Sequence, residues 1–169
     1  MSDGETSNSE ERLPLDTDAP MIDTVDVFNN KINLTEILKE NNGVIVDFHR
    51  GAWWHYWKIQ LGKLNKNIEE IKKRNVKLIT IMTDRAMSIK KLAEKEKYDF
   101  TIISDEKAEI SKQYKAFGKP VDFEMIKFLL AIPTTYLVDT KGKIVWRYLG
   151  NKTERPSIEA ILEAIDTKL

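Results

Sequence analysis

Apolar positions along the chain come in two kinds of run. Val44-Ile45-Val46-Asp47-Phe48, Val76 to Met82, Phe100 to Ile103 and Thr134 to Asp139 are short and nearly continuous. That is how strands covered on both faces read. Between them the period changes. Ile59, Leu61, Leu64, Ile68 and Ile71 recur at helical spacing, as do Ile89, Leu92 and Ala93 within 87–97, and Ile158, Ile161, Leu162 and Ile165 near the C-terminus. Punctuation supports these elements. Asn33, with Glu36 three residues on, predicts the cap of a short helix that ends at Asn42-Gly43. Gly118 closes a helix predicted over 107–117, and Pro156 opens the last one. Asp139-Thr140-Lys141-Gly142 predicts a hairpin joining 134–139 to 143–149. Strands alternating with helices and closed by a hairpin describe an α/β fold: a central mixed sheet with helices on both faces.

Three segments stand apart. Residues 1–19 are polar and acidic, too poor in large apolar groups to offset their ordering entropy, and predict a disordered tail ahead of one domain over 20–169. Ile22, Val25, Val27 and Phe28 predict an extended lead-in to that domain. The stretch 119–132 carries Phe123, Met125, Ile126, Phe128, Leu129 and Leu130, more apolar surface than a loop needs. It predicts an extra packed helix, or else a homodimer contact or a lid.

Composition narrows the chemistry. Lys plus Arg is 27 and Asp plus Glu is 27, so the formal charge is zero. Nucleic-acid and membrane-surface binders usually need a basic excess, so neither partner is expected. No apolar run is long enough to span a bilayer, and the N-terminus lacks the basic and apolar regions of a secretory signal, which predicts a cytoplasmic address. There is no cysteine in 169 residues. Disulfides, thiolate metal sites and cysteine nucleophiles are excluded. His49 and His55, even with Asp47, fall short of a metal set, and no cofactor is expected.

Several motifs in order carry a resemblance. Val44 to Trp53, reading VIVDFHRGAW, resembles the strand and active-site turn of the peroxiredoxin-like branch of the thioredoxin superfamily, the alkyl hydroperoxide reductase/thiol-specific antioxidant group. Ile132-Pro133-Thr134-Thr135-Tyr136-Leu137-Val138-Asp139 is similar to that group's strand after a cis-proline, Gly142-Lys143-Ile144 to its hairpin, and Arg147 to Gly150 with Arg155-Pro156-Ser157 to its ending. The resemblance implies a thioredoxin-like fold, a redoxin's antioxidant oxidoreductase activity on a peroxide or disulfide substrate, and a cis Ile132–Pro133 bond. It places the family's two redox cysteines at Trp54 and Trp57, with Arg50, Trp53, His55, Tyr56, Ile132 and Pro133 around them. The later-strand arginine of peroxiredoxins is absent, since Pro133 stands about where it would align.

A helix N-terminus stabilises a thiolate through its amides and dipole. An indole neither ionises there nor attacks oxygen or sulfur. The chain as written is therefore expected to lack thiol peroxidase and disulfide-exchange activity. Three readings of the tryptophan pair stay open. They fill space once held by smaller side chains; they grip a peptide or apolar ligand beside Pro133, making the chain a non-catalytic binding module; or cysteine or selenocysteine codons have been recoded or mutated. The geometry expected of the fold leaves Trp54 exposed toward Pro133 and Trp57 buried beneath it. His49 is expected to be a satisfied, partly buried histidine.

Overall fold

The computed structural model describes residues 12–49, 55–117, 121–123, 126–128, 131–150 and 154–169. In chain order the elements are β1 (Asp23–Val25), β2 (Lys31–Asn33), α1 (Leu34–Glu40), β3 (Gly43–Phe48), α2 (His55–Lys66), α3 (Ile68–Lys73), β4 (Val76–Met82) and α4 (Ala86–Glu96). They continue with β5 (Thr101–Ser104), α5 (Glu109–Gln113), β6 (Val121–Phe123), β7 (Ile126–Phe128), β8 (Thr134–Asp139), β9 (Ile144–Leu149) and α6 (Ile158–Lys168).

The central sheet runs β5-β4-β3-β8-β9. β3, β4 and β5 are parallel, whereas β8 is antiparallel to β3 and to β9. This is the mixed sheet that the apolar runs predict. Every residue of β3 is buried, because both faces are covered. On one face Ile45, Leu78, Met82, Ile102 and Leu137 meet Leu61 and Leu64 of α2, Ile89 of α4 and Ile161 of α6. On the other, Val44, Val46, Phe48, Ile79, Tyr136 and Val138 meet Leu13, Ile32, Leu34 and Tyr114. Among the described residues no helix is long and apolar enough to cross a membrane.

Local chemistry explains the element ends. Asn33 accepts the Glu36 amide at 3.0 Å, as its capping pattern predicts. At the β8–β9 hairpin the Asp139 carboxylate accepts the amides of Lys141 and Lys143, and Gly142 takes φ +79°, open to glycine without strain. Ser157, one residue beyond Pro156, is the actual cap of α6 and accepts the Ala160 amide. Gly43 belongs to β3 rather than to the end of α1. A Cβ there would lie 2.8 Å from both the Leu169 side chain and the Val138 carbonyl oxygen.

Three expectations are corrected. First, residues 12–19 are docked, not a free tail. Arg12, 2% exposed, donates to Thr134 Oγ1 at 2.8 Å, and Leu13 N to the Tyr136 hydroxyl at 3.1 Å. Asp16 N and Ala19 N donate to the carbonyls of Ile144 and Gly142. A short segment with few apolar groups is held by hydrogen bonds to the sheet and by Leu13, which reaches the core. Second, the extra helix over 119–132 is an antiparallel hairpin, β6 with β7. Val121-Asp122-Phe123 and Ile126-Lys127-Phe128 alternate at period two, which outranks apolar content. Phe117 and Ala131 bridge at its base. Third, α5 occupies only Glu109–Gln113 of the helix predicted over 107–117. Ala108 and Lys115 take positive φ, which stops the helix at both ends.

Candidate functional site

The site proposed from sequence lies where β3 ends and α2 begins. The turn that holds Arg50, Trp53 and Trp54 falls outside the described residues. His55, Tyr56 and Trp57 are described as backbone only: they form the first turn of α2. The burial expected of Trp54 and Trp57, and the facing of Trp54 on Pro133, therefore lie outside the described residues too.

The Ile132–Pro133 run into β8 is described in full. Ile132 is 4% exposed, and Pro133 is buried beside it. No cis peptide bond occurs among the described residues, so Ile132–Pro133 is trans and the expected cis bond is corrected. The isomer preference before proline is under about 1 kcal/mol, small enough for context to decide. Here the Ile132 amide donates to the Ala116 carbonyl at 2.7 Å, and the Ile132 carbonyl accepts from Thr134 Oγ1 at 2.9 Å. Both bonds hold the peptide in an extended run from the Ala131 bridge into β8. Gly150 packs against this run: a Cβ on it would lie 2.6 Å from the Glu154 carbonyl oxygen and 2.9 Å from that of Pro133.

A polar cluster lies at the C-terminal end of β3. Asp47 pairs with Thr80 on one side and Thr135 on the other, so the three side chains share one sheet face with His49, two residues on and just past the end of β3. The Asp47 carboxylate accepts the Thr135 hydroxyl at 2.8 Å. Its other oxygen lies 2.6 Å from His49 Nε2. His49 is fully buried, not partly, and Asp47 is 2% exposed. With the proton on Nε2, His49 Nδ1 is left as a bare lone pair. Among the described residues Nδ1 and Thr80 Oγ1 are buried without a hydrogen-bond partner. His49 is thus only half satisfied, against the expectation. A buried polar group without a partner costs about 1–3 kcal/mol. Gln60, on α2 and 4% exposed, donates to the Pro156 carbonyl and ties that helix to the lead into α6.

A sequence signal for this cluster existed. Asp47 interrupts an otherwise apolar strand, and His49 repeats its face at period two. Among the described residues no group of three or more His, Cys, Asp or Glu side chains is placed to hold a metal ion.

A family model described as AhpC/TSA matches residues 15–147. The chain belongs to the AhpC/TSA family. Peroxiredoxin Bcp of Escherichia coli K12 is 29% identical over 126 residues, covering 75% of this chain and 79% of that protein. A thiol-disulfide oxidoreductase ResA of Bacillus cereus is 23% identical over 159 residues, covering 94% of this chain and 82% of that protein. Among solved structures, a mutant of peroxiredoxin 6 from Arenicola marina superposes with a TM-score of 0.81 at 20% identity, over 92% of this chain and 73% of its own. The fold is thus thioredoxin-like and the family one of peroxiredoxins and thiol-disulfide oxidoreductases. The AhpC/TSA match begins at Leu15, inside the docked segment rather than at the first strand. This member has no thiol with which to perform the family's chemistry.

Proposed function

We propose that the chain carries the redox site of a peroxide- or disulfide-reducing AhpC/TSA protein at 50–57, facing Ile132–Pro133, and that this site is silent as written. The observation that carries the reading is the absence of cysteine from all 169 residues, with Trp54 and Trp57 at the motif's two cysteine positions. A helix N-terminus supplies amides that favour a thiolate; an indole gives them nothing to stabilise. Family resemblance supports a peroxide or disulfide as the ancestral substrate, a cytoplasmic address and a homodimer. The binding-module reading gains no support, because Ile132 and Pro133 are buried and offer little surface to a ligand.

The test is consumption of hydrogen peroxide, and reduction of a protein disulfide, with a dithiol reductant. The chain itself is expected to show neither above the reductant's background. Trp54→Cys/Trp57→Cys is expected to gain at least one of the two activities, by about tenfold or more. A double variant with unchanged circular dichroism that stays inert in both assays overturns the placement of the redox positions. Activity in the cysteine-less chain overturns the silence.

A further inference from the structure

The β1–β2 ladder has a phase. Asp23 pairs with Asn33, Thr24 with Ile32 and Val25 with Lys31. Leu34 N donates to the Ile22 carbonyl at 2.9 Å, and Asp26 N to the Asn30 carbonyl at 2.9 Å. In an antiparallel pair, residues that exchange bonds alternate with residues that do not. Ile22, Thr24 and Asp26 therefore turn their backbone groups toward β2, while Asp23 and Val25 turn theirs away. Among the described residues those outward N–H and C=O groups of Asp23 and Val25 make no hydrogen bond, and β1 has no second strand neighbour. One step on, the outward amide of Val27 is used: it donates to the Ile102 carbonyl of β5 at 3.0 Å. The free edge is thus anchored at one end and open along the rest.

A groove of about 570 Å³ follows this edge from Met21 to Val27, and the segment from Ser104 to Gln113 forms its other wall. Met21 and Val25 are exposed, at 47% and 50%. Asp23, Asp26, Asp105, Glu106 and Glu109 line the groove against one lysine, Lys107. Asp26 and Asp105 are already engaged by backbone amides, which leaves the exposed Asp23, Glu106 and Glu109 without cation partners among the described residues.

We propose that the free edge of β1 accepts an extended, basic segment of a partner protein as an added strand. The segment's main chain bonds Asp23 and Val25. Met21, Asp23 and Val25 share one face of β1, so the segment's lysine or arginine side chains on that face meet Asp23, Glu106 and Glu109 while their aliphatic stems cover Met21 and Val25. This is strand addition, with backbone bonds supplying affinity and side-chain pockets selecting the sequence. Charge selects against the chain's own first 11 residues as the occupant, since they hold Asp3, Glu5, Glu10 and Glu11 and no Lys or Arg.

The probe is a short alternating lysine–valine peptide, labelled and read by fluorescence anisotropy, with amide NMR shifts followed at Asp23 and Val25. The expected result is saturable binding that weakens with salt and perturbs those two amides. Asp23→Lys/Glu106→Lys/Glu109→Lys, all at exposed positions, is expected to weaken it by about tenfold or more. Val25→Pro removes an outward N–H without touching the β2 ladder, so the fold stands and binding falls by about fivefold. An alternating glutamate–valine peptide is expected not to bind. The proposal is overturned by no binding of the basic peptide up to about 1 mM, by equal binding of the acidic one, or by indifference to Val25→Pro. It is also overturned if the two amides shift with protein concentration alone, which would assign the edge to a second copy of the chain.

Discussion

The two faces of the central sheet bury polar groups in opposite ways. On the face toward Leu13 and Tyr114, each buried hydroxyl is matched. Tyr136 donates to the Tyr114 carbonyl at 2.7 Å and accepts from Leu13 N at 3.1 Å, while Tyr114 donates to the Pro20 carbonyl at 2.6 Å. Phe48 packs edge-on to Tyr136 and tilted on Tyr114, with ring centroids 6.3 Å and 5.4 Å apart. On the face toward α2, Asp47 and Thr135 are matched, yet His49 Nδ1 and Thr80 Oγ1 are not. Matched polar groups specify a fold. Unmatched ones cost stability, and here they stand at the C-terminal end of β3, on the side facing α2. The first face satisfies its polar groups; the second carries some of them at an expense.

Alkaline pH is expected to break the matched face most severely. Burial pushes the phenols of Tyr114 and Tyr136 upward. A phenol is charged only after losing its proton, so the folded chain keeps protons that the unfolded chain releases near pH 10. The stability is complete below pH 10 and drains away as pH rises past it. Thermal melts from pH 8 to 12 check this. Tyr114→Phe should be the weaker protein at neutral pH, because it loses the bond to Pro20, and should lose less on the way up. An unchanged gap between the two proteins would remove Tyr114 from the account.

Next in size is Arg12→Ala, expected to lower stability by about 2–4 kcal/mol, since it empties a buried site and deprives Thr134 Oγ1 of its donor. Urea midpoints measure it; a change within error would return residues 12–19 to the status of a tail. Tyr136→Phe is expected to cost about 1–3 kcal/mol, because Leu13 N and the Tyr114 carbonyl both lose their partner. The smallest effect has the opposite sign. Thr80→Val deletes an unmatched hydroxyl at nearly constant volume and should stabilise the chain by about 1 kcal/mol. Destabilisation there would mean that Thr80 has a role the contrast between the faces misses.

Much of the fold was legible because burial on both faces leaves a plain mark. Val44 to Phe48 and Val76 to Met82 are strands in the residues expected, and Asn33 and Asp139 cap and turn as their side chains require. The misreadings have a common cause. The apolar content of 121–128 suggests a packed helix, while its period of two points to the hairpin found. The polarity of 1–19 suggests a tail, while a buried guanidinium bonded to Thr134 and the core contact of Leu13 dock its second half. Resemblance alone suggests a cis bond before Pro133, while the trans peptide found there bonds Ala116 and Thr134, partners that no local pattern reveals. Of the candidate site, motif order places Ile132–Pro133 just ahead of β8, where it stands, while the turn lies outside the described residues. The Asp47–His49–Thr135 cluster needed the register of β8 against β3, which is a tertiary fact.

Gly150 carries a consequence of another kind. Its φ is not positive, so its requirement is steric and not conformational: any side chain would drive into the carbonyls of Pro133 and Glu154. A saturation library scored for folded protein would find position 150 as depleted as any catalytic position. Yet it carries no side chain with which to bind or to donate. Tolerance maps of this domain would therefore draw the eye to a residue whose contribution is the room it leaves for the strand beside it.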